Sequence, residues 1–479
     1  MIRPASAPPP VPGEQHRTVA SASILLVLRR GLTLITAGLS TALLSRLLGA
    51  PEFGELQVGL AVWTFATGIA DLGFSQVLGR DLVLTGRARA RLLRTGYQVQ
   101  GAWALGTTAV LAVVGLLEGA GTTRGQVLLV LCPSVAATGV AAGRAVLMAM
   151  DQYKVLVRTD IVFNLALSVG MVLAALAGGG PLAVAAVFSA CTAANSLALG
   201  LLGQRRAGVA PARPQARRHL LRQVLPLGVV SIFGKVYLSM DLILLGWLST
   251  DDQAGQYGGA VRIIATLNTV VAVVMTAALP ALARARPDPE AFAALASKLL
   301  GWLVLGALPM FVVVGALSGP VARISLGPGY EQAGRLTAVL ALSGVVATLS
   351  QLLGTILISA SVVRQMVYQN AVAAVVNVTG NVILLPRYGA AAAAWLTLAT
   401  EVLVCAGALL LLPGALPRAR LLAGAWRPAA AVAAGAAVLL ALHRWPLPGL
   451  AAGGLAYAAV VWRLRCWPAE FTPARRLVE

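Results

Sequence analysis

Three histidines, His16, His219 and His443, stand far apart in this chain, and its four cysteines, Cys132, Cys191, Cys405 and Cys466, form no Cys-x-x-Cys pair and no Cys/His cluster. That pattern offers neither a metal site nor a disulfide framework. Charge is scarce as well. Only 11% of the 479 residues are Asp, Glu, Lys or Arg, and the 17 acidic residues are outnumbered by 37 basic ones. The His-Glu-x-x-His, Gly-x-Ser-x-Gly and P-loop patterns do not occur, so metalloprotease, serine-hydrolase and nucleotide chemistry have no footing. No gap between apolar runs could hold a soluble catalytic domain. The expectation is a protein without metal, without cofactor and without enzymatic activity.

Apolar sequence is what remains. Hydrophobic residues make up 58% of the chain and the mean hydropathy is +0.83. A run of about 20 apolar residues crosses a bilayer as a helix. Such runs are placed at about 22–48, 56–79, 97–117, 125–149, 159–178, 182–203, 223–247, 256–282, 297–318, 334–358, 366–386, 391–412, 428–443 and 446–462. The reading is an all-α integral membrane protein of about fourteen helices. Residues 1–21 are Pro-rich and read as a disordered cytoplasmic tail, and the first apolar run reads as a retained helix rather than a signal peptide.

The net charge of +20 could mark a nucleic-acid binder, but no basic face interleaved with aromatics occurs and the basic residues sit in short loops. Alternate loops carry about 27 of the 37 Lys and Arg residues on one side and about 6 on the other, the asymmetry of a positive-inside protein. Both termini are therefore expected in the cytoplasm, with the plasma membrane of a bacterium as the location and no nucleic acid as partner.

The chain also matches itself at a spacing of roughly 200–210 residues, an internal repeat that implies two parallel lobes. Phe53-Gly54-Glu55 aligns with Ala254-Gly255-Gln256, and Lys154–Val187 aligns with Arg364–Thr397 so that Asp160 falls on Asn370, Gly170 on Gly380 and Gly179 on Gly389. Parallel repeats in transporters flank a central cavity. The expected organisation is an N-lobe of six helices over 22–203, a basic cytoplasmic linker over 204–222, a C-lobe of six helices over 223–412, two appended helices over 413–462 and a cytoplasmic tail over 463–479.

Charged side chains inside apolar helices carry the functional information, because each costs roughly 2.5–3.5 kcal/mol near mid-bilayer on insertion scales. Lys235 and Asp241 lie within the seventh helix, Arg262 within the eighth, and Arg29 and Arg30 near the inner end of the first. With a helix rise of ~1.5 Å per residue, Asp241 and Arg262 share a depth of ~15 Å below the turn at Asp251-Asp252, and Lys235 lies at ~24 Å. The pair Asp241 and Arg262 reads either as an ion pair that joins two helices or as a substrate contact tuned by a carboxylate. Glu401 and Asp71 are further candidates for a proton or coupling-ion site. Arg144, Arg158 and Asp160 read as anchors or inter-helix pairs near inner helix ends. Asn370, Asn377 and Asn381 form a polar stripe that reads as helix–helix glue. Pro133, Pro226 and Pro309 are candidate helix bends.

Four segments resemble one family in order. Ser45–Leu82 (SRLLGAPEFGELQVGLAVWTFATGIADLGFSQVLGRDL) is similar to the opening signature of the polysaccharide, or O-antigen, flippases. Leu220–Gly228 (LLRQVLPLG) followed by Asp241 and GQYGGAVRI resembles the start of that family's second lobe. ISLGPGYEQAG and LLPRYGAAAAAWLTLATE resemble two later segments. The resemblance spans about residues 20–415 and implies the multidrug/oligosaccharidyl-lipid/polysaccharide exporter fold. It also implies a substrate, an oligosaccharide on polyprenyl pyrophosphate turned from the inner to the outer leaflet, and polymerase or glycosyltransferase machinery as neighbours. A diphosphate must leave water, and cationic side chains compensate by charge-assisted hydrogen bonds, so Arg30, Lys235, Arg262 and Arg29 are its expected contacts. Some relatives of this fold carry lipid II-type peptidoglycan precursors and others export cationic drugs; both stand as alternatives. The basic excess inside the membrane argues against a cavity built for cationic drugs.

Overall fold

The computed structural model describes residues 12–84, 89–208, 214–412, 421–422, 424–442 and 444–466. Parts of the expected tails, of the 204–222 linker and of the 413–462 segment, with Arg213, Arg418 and Arg420, lie outside the described residues.

The described secondary structure is helical. In chain order the helices are α1 (Pro12–Asp71), α2 (Phe74–Leu84), α3 (Arg89–Leu117), α4 (Thr123–Ala136), α5 (Ala142–Ala149), α6 (Tyr153–Leu176), α7 (Gly180–Ala207), α8 (Pro214–Leu248) and α9 (Asp251–Ala285). They continue as α10 (Pro289–Gly306), α11 (Leu308–Ala316), α12 (Ser318–Leu326), α13 (Glu331–Ser359), α14 (Val363–Tyr388), α15 (Ala390–Leu410), α16 (Trp426–Ala441) and α17 (Pro446–Arg463). Among the described residues, ten helices are long and apolar enough to cross a membrane. The protein is thus an all-α, multi-pass membrane protein, and its many exposed apolar side chains, Ile35, Val110, Leu173 and Ile383 among them, are surface for lipid to cover.

Local chemistry sets the boundaries. α1 starts at Pro12, earlier than the sequence reading, and contains a non-helical joint at Gly49 with φ 73° and ψ 172°. Glycine adopts that positive φ without a Cβ penalty, and Pro51 just beyond it restarts the helix in a position where the missing N–H costs nothing. Thr250 caps α9 by accepting the Gln253 amide, and Asp288 caps α10 by accepting the amides of Glu290 and Ala291, the usual satisfaction of orphan N–H groups. Pro133 lies near the end of α4, which gives way to a 3-10 turn (Ala137–Val140) before α5. Pro309 sits in the first turn of α11, just after the break at Ala307. Pro226 lies within α8, which runs without a break.

Packing divides the chain into two units, one comprising the chain up to Ser40 with Trp63–Ile232, the other comprising Thr41–Val62 with the chain from Phe233 onward. The division crosses the expected lobes, since Thr41–Val62 of α1 falls in the later unit. The first unit holds a buried cluster that includes Phe74, Leu78, Leu93, Val146 and Leu220. In the second, Leu245, Leu282, Leu300, Leu336 and Ile356 contribute to one continuous core.

Candidate functional site

Two buried carboxylates organise the polar interior, one in each unit. In the second unit Asp241, on α8, is 8% exposed. Its Oδ1 accepts the Asn381 side-chain N–H of α14 at 2.8 Å. Its Oδ2 accepts the hydroxyls of Thr397 on α15 at 2.8 Å and of Tyr257 on α9 at 3.0 Å. Asn381 also donates to the Asn377 side-chain oxygen at 3.1 Å. Buried and without a partner are Asn381 Oδ1 and Asn377 Nδ2. The hydrogen-bond partners of Asp241 among the described residues are all neutral. The surrounding oxygens, carboxylate, amide and hydroxyl, are hard donors of the kind that hold alkali or alkaline-earth cations.

Arg262 stands apart from this cluster. Its Nε donates to Gln57 Oε1 at 3.1 Å, and no ion pair joins it to Asp241 among the described residues. Depth matches, but direction does not. Five positions separate Tyr257 from Arg262, about 140° around a helix of 3.6 residues per turn, so the face that meets Asp241 is not the face that carries the guanidinium. Lys235 is half-buried and Arg30 exposed, and neither has an ion-pair partner among the described residues.

In the first unit Asp160, on α6, is 7% exposed. Arg144 of α5 grips it with both terminal nitrogens, Nη2 to Oδ1 at 2.6 Å and Nη1 to Oδ2 at 3.0 Å. Arg29 of α1 donates to Oδ2 as well, and Asn195 of α7 donates to Oδ1 at 3.3 Å. One turn along the same seam, the Thr36 hydroxyl meets Asn164 Oδ1 at 2.7 Å. Arg29 is therefore held in a buried network rather than standing free.

The remaining candidates have quieter settings. Asp71 closes α1 and accepts the Ser75 amide at 3.2 Å and the Ser75 hydroxyl, with Gln100 at 3.4 Å; it caps the first turn of α2. Glu401 is half-buried on α15. Arg158 and Asn370 are exposed. Sequence reasoning missed Tyr257 and Thr397 as partners of Asp241, because hydroxyls in apolar helices carry no signal of their own. It noticed Asn377 and Asn381, whose spacing of four puts both on one helix face, but read them as glue. Among the described residues no group of three or more His, Cys, Asp or Glu side chains could hold a metal ion.

A multi-pass helical membrane protein with buried polar clusters and unpaired intramembrane cations belongs to the class of transporters, not enzymes. The sequence signature described as "Polysaccharide biosynthesis protein" matches residues 19–286, and the chain belongs to that family, within the multidrug/oligosaccharidyl-lipid/polysaccharide exporter superfamily. No curated protein matches the chain in sequence. Among solved structures, the lipid II flippase MurJ in an inward closed conformation is similar with a TM-score of 0.75 at 15% identity, over 93% of this chain and 99% of that one. The eukaryotic MATE transporter AtDTX14 is similar with a TM-score of 0.51 at 12% identity, over 84% and 99%. A superfamily transporter from Pyrococcus furiosus, described by the reverse polarity of its binding pocket, gives 0.51 at 11% identity, over 86% and 96%. At these identities the likeness is one of fold.

Proposed function

We propose that this protein is a flippase that moves a saccharide linked to polyprenyl pyrophosphate from the inner to the outer leaflet by alternating access. One observation carries the reading: among the described residues, Arg30, Lys235 and Arg262 have no acidic partner. Uncompensated cations in or beside an apolar span are costly, and a diphosphate on a lipid is a substrate that repays the cost. The polyprenyl chain stays in the bilayer while the charged head travels. The likeness to the lipid II flippase MurJ favours a lipid II-type precursor as cargo over the polysaccharide repeat unit, whereas the family description alone leaves the saccharide open.

In this reading fourteen crossings are counted, with α1 contributing one before Gly49 and one after it together with α2, while α4 with α5 and α10 with α11 make one crossing each. The Asp241 cluster is the coupling site, taking a proton or a monovalent cation whose entry and exit drive the cycle.

Proteoliposomes test the reading with a fluorescent lipid-linked saccharide of each kind. A lost charge-assisted hydrogen bond costs about 1.5–3 kcal/mol, so Lys235→Ala is expected to lower transport about ten- to a hundredfold, with Arg30→Ala and Arg262→Ala in the same direction. Normal transport by all three variants, at wild-type protein levels, removes the diphosphate reading. Deleting the gene identifies the cargo: the lipid-linked intermediate that accumulates is the substrate, and accumulation of a polysaccharide repeat unit would reverse the preference for lipid II.

A further inference from the structure

The expectation for Arg144 is an anchor or an inter-helix pair, and the first unit spends two arginines on one carboxylate. Arg144 alone neutralises Asp160, since its fork meets both carboxylate oxygens, the bidentate geometry that makes such pairs strong. Arg29 adds a second positive charge that the pair does not need. Asp160 with Arg29 and Arg144 therefore carries a net charge of +1. Each guanidinium has five N–H donors, and the three bonds to Asp160 leave most of them unused. Arg29 Nε is buried with no partner at all. Exposure divides the roles: the Asp160 side chain is 8% accessible, those of Arg29 and Arg144 are 24% and 38% accessible. An incoming anion thus meets guanidinium before it meets carboxylate.

Resting on the diphosphate reading above, we propose that Arg144 and Arg29 together form a second anion subsite of the flippase, and that Asp160 is the positioning residue that holds them side by side. Both arginines bond the same oxygen, Asp160 Oδ2, so their donor nitrogens lie within about 6 Å of each other, two hydrogen-bond lengths. Two guanidiniums at that separation engage the two phosphoryl groups of a diphosphate, one each, where a monophosphate engages one. Asn195, whose Oδ1 is buried and unpartnered, completes the support of Asp160 from α7. The subsite is a selectivity device: it reads the number of phosphoryl groups rather than the saccharide.

The test uses the full chain in nanodiscs with farnesyl pyrophosphate and farnesyl monophosphate as probes, and its readout is the ratio of the two affinities. The wild-type protein is expected to prefer the pyrophosphate about tenfold or more, the worth of one further charge-assisted contact. Arg144→Gln and Asp160→Asn each bring the ratio toward one, and Asp160→Glu keeps most of it. Should Asp160→Asn fail to fold, Arg144→Lys retains the charge, loses the fork and still lowers the ratio. A role confined to stability shifts the unfolding temperature and leaves the ratio alone; an unchanged ratio in folded Arg144→Gln overturns the proposal. If the wild-type protein shows no preference and Lys235→Ala binds both probes normally, the diphosphate reading itself falls. If Lys235→Ala weakens the pyrophosphate while Arg144→Gln does not, only this subsite falls.

Discussion

Asp241 shows how a single side chain can be noticed in a sequence while its partner stays open. Its rarity in an apolar helix marked it at once, and equal depth offered Arg262 as its partner. The structure gives it Tyr257, Thr397 and Asn381 instead, because azimuth as well as depth decides contact. A carboxylate solvated by neutral donors binds or releases a cation without breaking an ion pair, which suits a coupling site better than a salt bridge would. Asp241→Asn keeps the size and removes the charge; flux measured under sodium and proton gradients is expected to lose its dependence on whichever gradient drives the wild-type protein. Retention of that dependence moves the coupling site elsewhere. Asn381→Ala is expected to destabilise the fold by about 1–3 kcal/mol, the cost of a buried acceptor losing its donor, measurable as a lowered unfolding temperature in detergent.

Between helices, two glycines matched in the sequence at one spacing come into physical contact. Gly54 and Gly255, matched at the repeat spacing, face one another in the second unit. A Cβ on Gly54 would lie 1.9 Å from the Asp251 carbonyl oxygen, and a Cβ on Gly255 would lie 1.9 Å from the Ala50 carbonyl oxygen. Each glycine thus opposes the carbonyl four residues before the other, a reciprocal arrangement that lets two helix backbones touch. Gln57, about one turn beyond Gly54, meets Arg262, about two turns beyond Gly255, in the same contact. Alanine at either glycine must push backbone, not a flexible side chain, and overpacking of this kind typically costs about 1–3 kcal/mol. Gly38, with open space at its Cβ position, supplies the control. The expected outcome is a lowered unfolding temperature for Gly54→Ala and Gly255→Ala and none for Gly38→Ala. Equal stability of all three would show that the close approach does not exist in the membrane. The match was legible because glycine and polar positions coincide at one spacing; that the matched segments meet was not, since spacing reports similarity and not proximity.

For the whole molecule, most of the architecture lies in hydropathy, and what hydropathy omits has a common cause. Apolar runs and their loops follow from the transfer cost of polar backbone into lipid, so the long helices appear close to where the sequence places them. Short helices such as α5, α11 and α12 escape, because the breaks after Ala136, at Ala307 and at Leu317 come without a change in composition. The sorting of Thr41–Val62 with the second unit escapes too, since it depends on the backbone contact at Gly54. Orientation is the remaining large-scale property, and the basic asymmetry of the loops predicts it. Arg217 and Arg323 make the sharpest test, as both are exposed and fall in loops assigned to opposite sides. In a background with Cys132, Cys191, Cys405 and Cys466 replaced, a cysteine at Arg323 should react with an impermeant maleimide on intact cells. A cysteine at Arg217 should react only after the membrane is opened. Arg217 also donates to Gln98 at 2.6 Å, so protection from outside would fix the start of α3 on the same inner face. Labelling of Arg217→Cys from outside would invert the protein. Arg30 and Lys235 would then face the wrong leaflet for a substrate made in the cytoplasm, and the order in which the cations meet the diphosphate would have to be reversed.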